Sequence, residues 1–211
     1  MHRVVDFAAS TTLAACSAIL ELPAQSGDDG IGRTRLAIEV SRGYLRNWER
    51  KAVIIAPTVP LVKQHLDFAR RFTDFRTRGV LGNATVDAWE RDEWQSVLLN
   101  CEVLLITPQL FLDALGARHL DLVSFGVIVV DECQHCLGSH PYASIFKEHY
   151  RNAPGQGNEI RVLGMSSQLV KRKVKGKDEQ LQALKRLERS MHSQHLALNE
   201  AMKSPRSPGV A

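Results

Sequence analysis

The amino-acid sequence predicts a doubly wound α/β domain: a mainly parallel sheet with helices on both faces. Three observations carry this. Residues 52–56, 103–106 and 127–130 are apolar runs with no polar alternation, the pattern of strands buried on both faces. Segments with helical spacing separate these runs, so strand and helix alternate as βαβ units. The third run leads directly into Asp131 and Glu132, and acids at a strand's carboxyl end lie where open α/β sheets bind ligands.

In chain order, residues 5–16 read as a short helix and residues 18–22 as the first strand. A glycine-containing loop follows over 23–33. Leu36, Ala37, Val40 and Tyr44 then recur at helical spacing, giving a helix over 34–48. The strand over 52–56 stops at Pro57 and is followed by a helix over 59–72, then a short strand over 78–81. An amphipathic helix is expected to hold Val86, Trp89, Trp94 and Val97. The strand 103–106 ends at Thr107-Pro108, with a helix over 110–115. After the 127–130 strand and a polar loop come a helix near 142–150, a loop over 152–158, a strand over 161–165 and a last helix from Asp178. These boundaries give a helical lead-in over 1–17, one domain over 18–200 and a disordered tail over 201–211.

Composition adds limits. In 211 residues, Lys+Arg 27 against Asp+Glu 23 gives a net charge of +4, which permits a polyanionic partner without requiring one. No apolar run reaches the length of a membrane span. Asp6 and Thr11-Thr12 interrupt the apolar stretch near the amino terminus, so it is not read as a leader. Cys16, Cys101, Cys133 and Cys136 have no disulfide-framework spacing, as expected of an intracellular chain.

Two stretches carry chemistry. Asp131 and Glu132 match a pair in which the first acid holds Mg²⁺ and the second orients or deprotonates water; a buried strand that ends in a polar turn is the plainer reading. Gly27-Asp28-Asp29-Gly30-Ile31-Gly32-Arg33-Thr34 fits a phosphate-binding G-x-x-x-x-G-K-[ST] loop except that Arg stands for Lys; an ordinary Gly/Asp turn is its alternative. Gly27, Gly30 and Gly32 would allow close backbone approach, Arg33 would supply the cation, and the Thr34 hydroxyl would serve Mg²⁺. A guanidinium is broader than the ammonium such loops hold, and Asp28 and Asp29 put negative charge beside the expected phosphates.

With the phosphate loop, the DE-terminated strand and the stretch Ala56-Pro57-Thr58-Val59-Pro60-Leu61-Val62-Lys63-Gln64-His65 between them, the chain resembles the first RecA-like lobe of superfamily 2 DExH helicases. Within that group it looks most like Dicer, particularly the insect antiviral type. The residues carrying this are 82–94 with Trp89 and Trp94, 103–113, Asp131 to Pro141 and 161–165. The resemblance implies ATP and Mg²⁺ as cofactors and double-stranded RNA as partner, with dsRNA-binding protein cofactors, in a cytoplasmic monomer working in RNA interference. It implies catalytic roles for Asp131 and Glu132, nucleotide contact at Gly32, Arg33 and Thr34, and RNA contact at Pro57, Thr58, Gln64, Thr107 and Gln109. It also gives Ser166 and Ser167 a part in coupling to a second lobe.

Departures from the family pattern bear on turnover: Arg33 for Lys, Gln134 for the His of DExH, and Ser166-Ser167-Gln168 for the small coupling triplet. The 211 residues contain no ribonuclease III signature. A fragment, a truncated gene model or a degenerate paralogue is therefore expected. Three functions stay open: a Dicer-like helicase ATP-binding lobe, a dsRNA-binding scaffold of the same fold without turnover, and a FANCM/Hef-type DNA-branch helicase lobe. Cys133, Cys136 and His140 have ligand-like spacing for zinc, but a fourth ligand would have to come from elsewhere. The basic run 171–177 could meet RNA phosphates or be a solvated loop.

Overall fold

The computed structural model describes residues 17–22, 31–48, 50–82, 86, 88–151, 153, 160–169 and 177–196. Its elements are β1 (Ala18–Glu21), α1 (Ile31–Trp48), β2 (Lys51–Ile55), α2 (Val59–Phe72), β3 (Thr77–Val80), α3 (Arg91–Leu99), β4 (Val103–Ile106), α4 (Pro108–Gly116), β5 (Phe125–Asp131), α5 (Pro141–Ser144), β6 (Arg161–Ser166), α6 (Lys177–Met191) and β7 (Gln194–Leu196). The seven strands form one sheet in the order β3-β4-β2-β5-β6-β1-β7. Every pairing is parallel.

The absence of polar alternation in the strands has a direct structural cause. Successive side chains point to opposite faces, and both faces are covered. Val53, Ile55, Leu104, Ile106, Ile128 and Val130 enter a core with α3, α4, α5 and α6. Their neighbours Ala52, Ile54, Val103, Leu105, Val127 and Val129 enter a second core with α1 and α2.

Most expected boundaries agree to within a few residues, and α2 agrees at both ends. Thr58 caps α2, its hydroxyl accepting from the Leu61 N–H at 3.4 Å, and proline in the first turn suits a position with no helical N–H partner. Three differences are corrections. Val86 and Trp89 lie outside the amphipathic helix, which starts at Arg91 behind a capping box made by Glu90 and Glu93; Trp89 is the nearer of the two. It still meets Trp94 edge to face, at 5.4 Å between ring centroids. The helix near 142–150 is α-helical only to Ser144 and continues as a π-helix over Ile145–Tyr150. Finally, β7 was not expected; three residues, Gln194–Leu196, pair with β1. The expected helix 5–16, most of the basic run and the tail 201–211 lie outside the described residues.

Candidate functional site

Parallel strands bring their carboxyl ends to one edge, along which β4, β2, β5, β6 and β1 end side by side. The ends of β5, β6 and β1 lie together on one side, with Asp131 and Ser166 closing β5 and β6. The ends of β2 and β4 are neighbours on the other, where the Ala56 N–H donates to the Ile106 carbonyl at 3.2 Å. Pro57 and Thr58, which follow β2, therefore stand beside Thr107 and Gln109, which follow β4. Thr107 is the cap position of α4, and Gln109 is exposed, its amide donating to Asp113 at 2.8 Å. Gln64, with Thr34, Lys63, Phe68 and Arg71, lines a cavity of about 660 Å³ outside α2.

The acid pair is held from four directions. Asp131 is buried and Glu132 is left-handed, with φ 53°. Such a backbone is costly for a residue with a Cβ and recurs at functional sites. The Glu132 N–H donates to Asp131 Oδ1 at 3.0 Å. From the first turns of α1, Arg33 reaches across both acids: Nε lies 3.3 Å from Asp131 Oδ1, and its terminal nitrogen lies 2.9 Å from Glu132 Oε1. The Nε contact is an ion pair without hydrogen-bond alignment. On the far side of Asp131, Oδ2 lies 3.1 Å from His65 Nε2. His65 is buried at 1% exposure, and its Nδ1 has no partner among the described residues.

Gln134 links the acids to β6. Its amide Nε2 donates to Glu132 Oε2 at 2.6 Å, and its Oε1 accepts from the Ser166 hydroxyl at 2.6 Å. The same hydroxyl accepts from the Gln168 N–H at 2.9 Å. An amide has a donor and an acceptor on one fork, so glutamine joins a carboxylate to a hydroxyl at once. Ser166, fully buried, is thus part of the cluster, while Ser167 is half-buried beside it. Tyr142 completes the floor, its hydroxyl lying 2.9 Å from the Asp131 carbonyl and 3.0 Å from that of Ile55. Burial, followed by the nearby Cys136 and Asp131, raises its pKa well above the ordinary phenol value, so it serves as a neutral donor.

Thr34 is buried at 2% exposure. Gly32 lies in the first turn of α1, whereas Gly27 and Gly30 lie outside the described residues. Cys133 and Cys136 point into the core rather than toward a shared ligand, and no cluster of three metal-ligating side chains occurs among the described residues. Burial raises both thiols above their ordinary pKa; at Cys133, Asp131 and Glu132 add to the effect.

Sequence reasoning missed two members of the cluster. His65 has no role in the family pattern; the signal is its place in the inward stripe Val62, His65, Leu66 and Ala69 of α2. Gln134 stands out in the sequence only as a departure from the family pattern, because its two partners lie at the ends of different strands.

A family model for DEAD/DEAH box helicases matches residues 12–175. The chain belongs to that family. Endoribonuclease Dicer homolog 2 of Arabidopsis thaliana is 34% identical over 79% of this chain. Dicer homolog 2b of Oryza sativa is 33% identical over 79%, and Dicer-like protein 2 of the fungus Cryphonectria parasitica is 31% identical over 78%. The chain spans 12%, 13% and 11% of those proteins' lengths. Among solved structures, the helicase domain of Pyrococcus furiosus Hef superposes with a TM-score of 0.70 at 20% identity. That match covers 94% of this chain and 37% of the Hef chain, and supports the RecA-like fold alone.

This DEAD/DEAH-family edge fits a nucleotide at its helix terminus and does not fit a divalent metal at its acids. The amino end of an 18-residue helix, carrying Gly32, Arg33 and Thr34, favours phosphate. Metal ligation needs carboxylate oxygens, and each of the four on Asp131 and Glu132 already faces a protein donor.

Proposed function

We propose that this chain is a Dicer-like helicase lobe of small-RNA processing in the cytoplasm, which engages double-stranded RNA and holds ATP at the amino end of α1. The observation that supports this best is the shared carboxyl edge, along which β4, β2, β5 and β6 end side by side. Arg33, Asp131 and Ser166 gather at the ends of β5 and β6, and Thr58 and Thr107 follow the ends of β2 and β4, which the Ala56–Ile106 hydrogen bond joins. In that arrangement Thr34 and the first amides of α1 bind phosphate. Pro57, Thr58, Thr107 and Gln109 meet the nucleic-acid backbone. His65 and Tyr142 hold Asp131 in place, and Gln134 carries any displacement of Glu132 to Ser166.

Arg33 favours the second reading, a lobe that binds without turnover. Glu132 has both oxygens engaged, by Arg33 and by Gln134, so neither is directed at water. ATP hydrolysis by the purified chain, measured with and without dsRNA, tests the two readings. dsRNA-stimulated hydrolysis, or its appearance in Arg33→Lys, supports an enzyme; no hydrolysis in either supports the scaffold. Failure to bind blunt dsRNA at low salt sinks both, and preference for forked DNA favours a branch-helicase reading.

A further inference from the structure

We infer that Arg33 is a tethered cation standing where a divalent metal would bind, and that it closes the Asp131–Glu132 pair to free metal ions. The ligand class follows from reading this edge as a nucleotide site: a nucleoside triphosphate taken without a bound divalent cation.

The geometry assigns the guanidinium this place. A planar fork can meet two carboxylates at once through separate nitrogens. Here Nε faces Asp131 at 3.3 Å and a terminal nitrogen faces Glu132 at 2.9 Å. The left-handed backbone of Glu132 turns its carboxylate to that fork, so a strained residue is retained where it serves the contact. The remaining oxygens are not spare: Asp131 Oδ2 faces His65 and Glu132 Oε2 accepts from Gln134. Arg33 is only 16% exposed, so its attraction to the two acids is poorly screened. With Arg33 in place the three side chains carry a net charge of about −1, and without it about −2. A dication entering the pair must therefore displace a cation that cannot diffuse away.

Titration of the full chain with Mn²⁺, read by electron paramagnetic resonance without nucleotide, tests this. The wild type is expected to bind no Mn²⁺ in a manner dependent on Asp131. Arg33→Gln is expected to gain one site, tighter by at least about tenfold and lost again in the Arg33→Gln, Asp131→Asn double variant. A wild-type site abolished by Asp131→Asn overturns the inference, as does an Arg33→Gln variant that is folded by circular dichroism yet gains none. If Arg33→Gln does not fold, Arg33→Met takes its place under the same criteria. In a second arm, a fluorescent ATP analogue should bind the wild type equally in EDTA and in Mg²⁺. Strengthening by Mg²⁺ counts against the inference. Absence of analogue binding in both buffers counts against the nucleotide reading, while the Mn²⁺ arm still decides the role of Arg33.

Discussion

At the scale of single residues, the acid pair shows how much of a site lies in partners that the chain order conceals. Tyr142 is fully buried with its hydroxyl between two strand-end carbonyls. Tyr142→Phe removes that donor and leaves carbonyl oxygen short of a partner, at a cost of about 1–3 kcal/mol; equilibrium urea unfolding checks this. His140 offers a test by pH. Its Nδ1 accepts from the Tyr142 N–H at 3.3 Å, which requires an unprotonated nitrogen, and its ring stacks on His135 at 5.1 Å between centroids. Burial first, and His135 second, lower its pKa from 6.5. A lowered pKa means that the folded state binds fewer protons than the unfolded one. Its contribution is therefore complete above about pH 6.5 and is lost as pH falls through the folded value. The urea midpoint should decline on acidification in that window, and His140→Gln should flatten the decline. Chemical shifts of the His140 ring give the folded value directly.

Elements bring a second kind of constraint, in which one residue's absence of bulk lets two segments meet. Gly164 of β6 sits where an added Cβ would come within 2.8 Å of Met191 Cε and 3.0 Å of Cys133 Sγ. Close approach lets the turn after the acid pair and the end of α6 lie against the sheet. Gly164→Ala is expected to cost about 1–3 kcal/mol by overpacking. Because Met191 Cε is a flexible end, Met191→Ala should recover part of that cost in a double-mutant cycle. Trp94, 2% exposed on the buried face of α3, follows the opposite logic, and Trp94→Ala should cost about 3–5 kcal/mol through the cavity it leaves. Thermal and chemical denaturation distinguish the two cases.

For the molecule as a whole, the seven-stranded sheet is completed by its shortest strand. β7 covers the outer side of β1, with the Gln194 N–H donating to the Ser17 carbonyl at 3.1 Å and the His195 N–H to Glu188 at 2.8 Å. Ending the chain after Met191 would expose the β1 edge to other chains. The expected result is a lower unfolding midpoint, with self-association that rises with concentration in light scattering. A three-residue strand has too little pattern to be read ahead of its partner, which is why it was missing from the sequence-based expectation.

Strand–helix alternation, the burial of the strands on both faces, the place of Asp131 and Glu132 at the sheet's carboxyl edge, and the family were all legible in the linear order. Each of these depends on local spacing, which the linear order records. The groups that hold the acids emerge from the packing of the folded chain. Arg33, His65, Gln134 and Ser166 are distant in sequence and converge because parallel pairing brings the ends of separate strands, with the helices that follow or precede them, to one edge. The same packing gave Gln134 and Arg33, which look like defects beside the family pattern, defined partners: a carboxylate and a hydroxyl for one, both acids for the other.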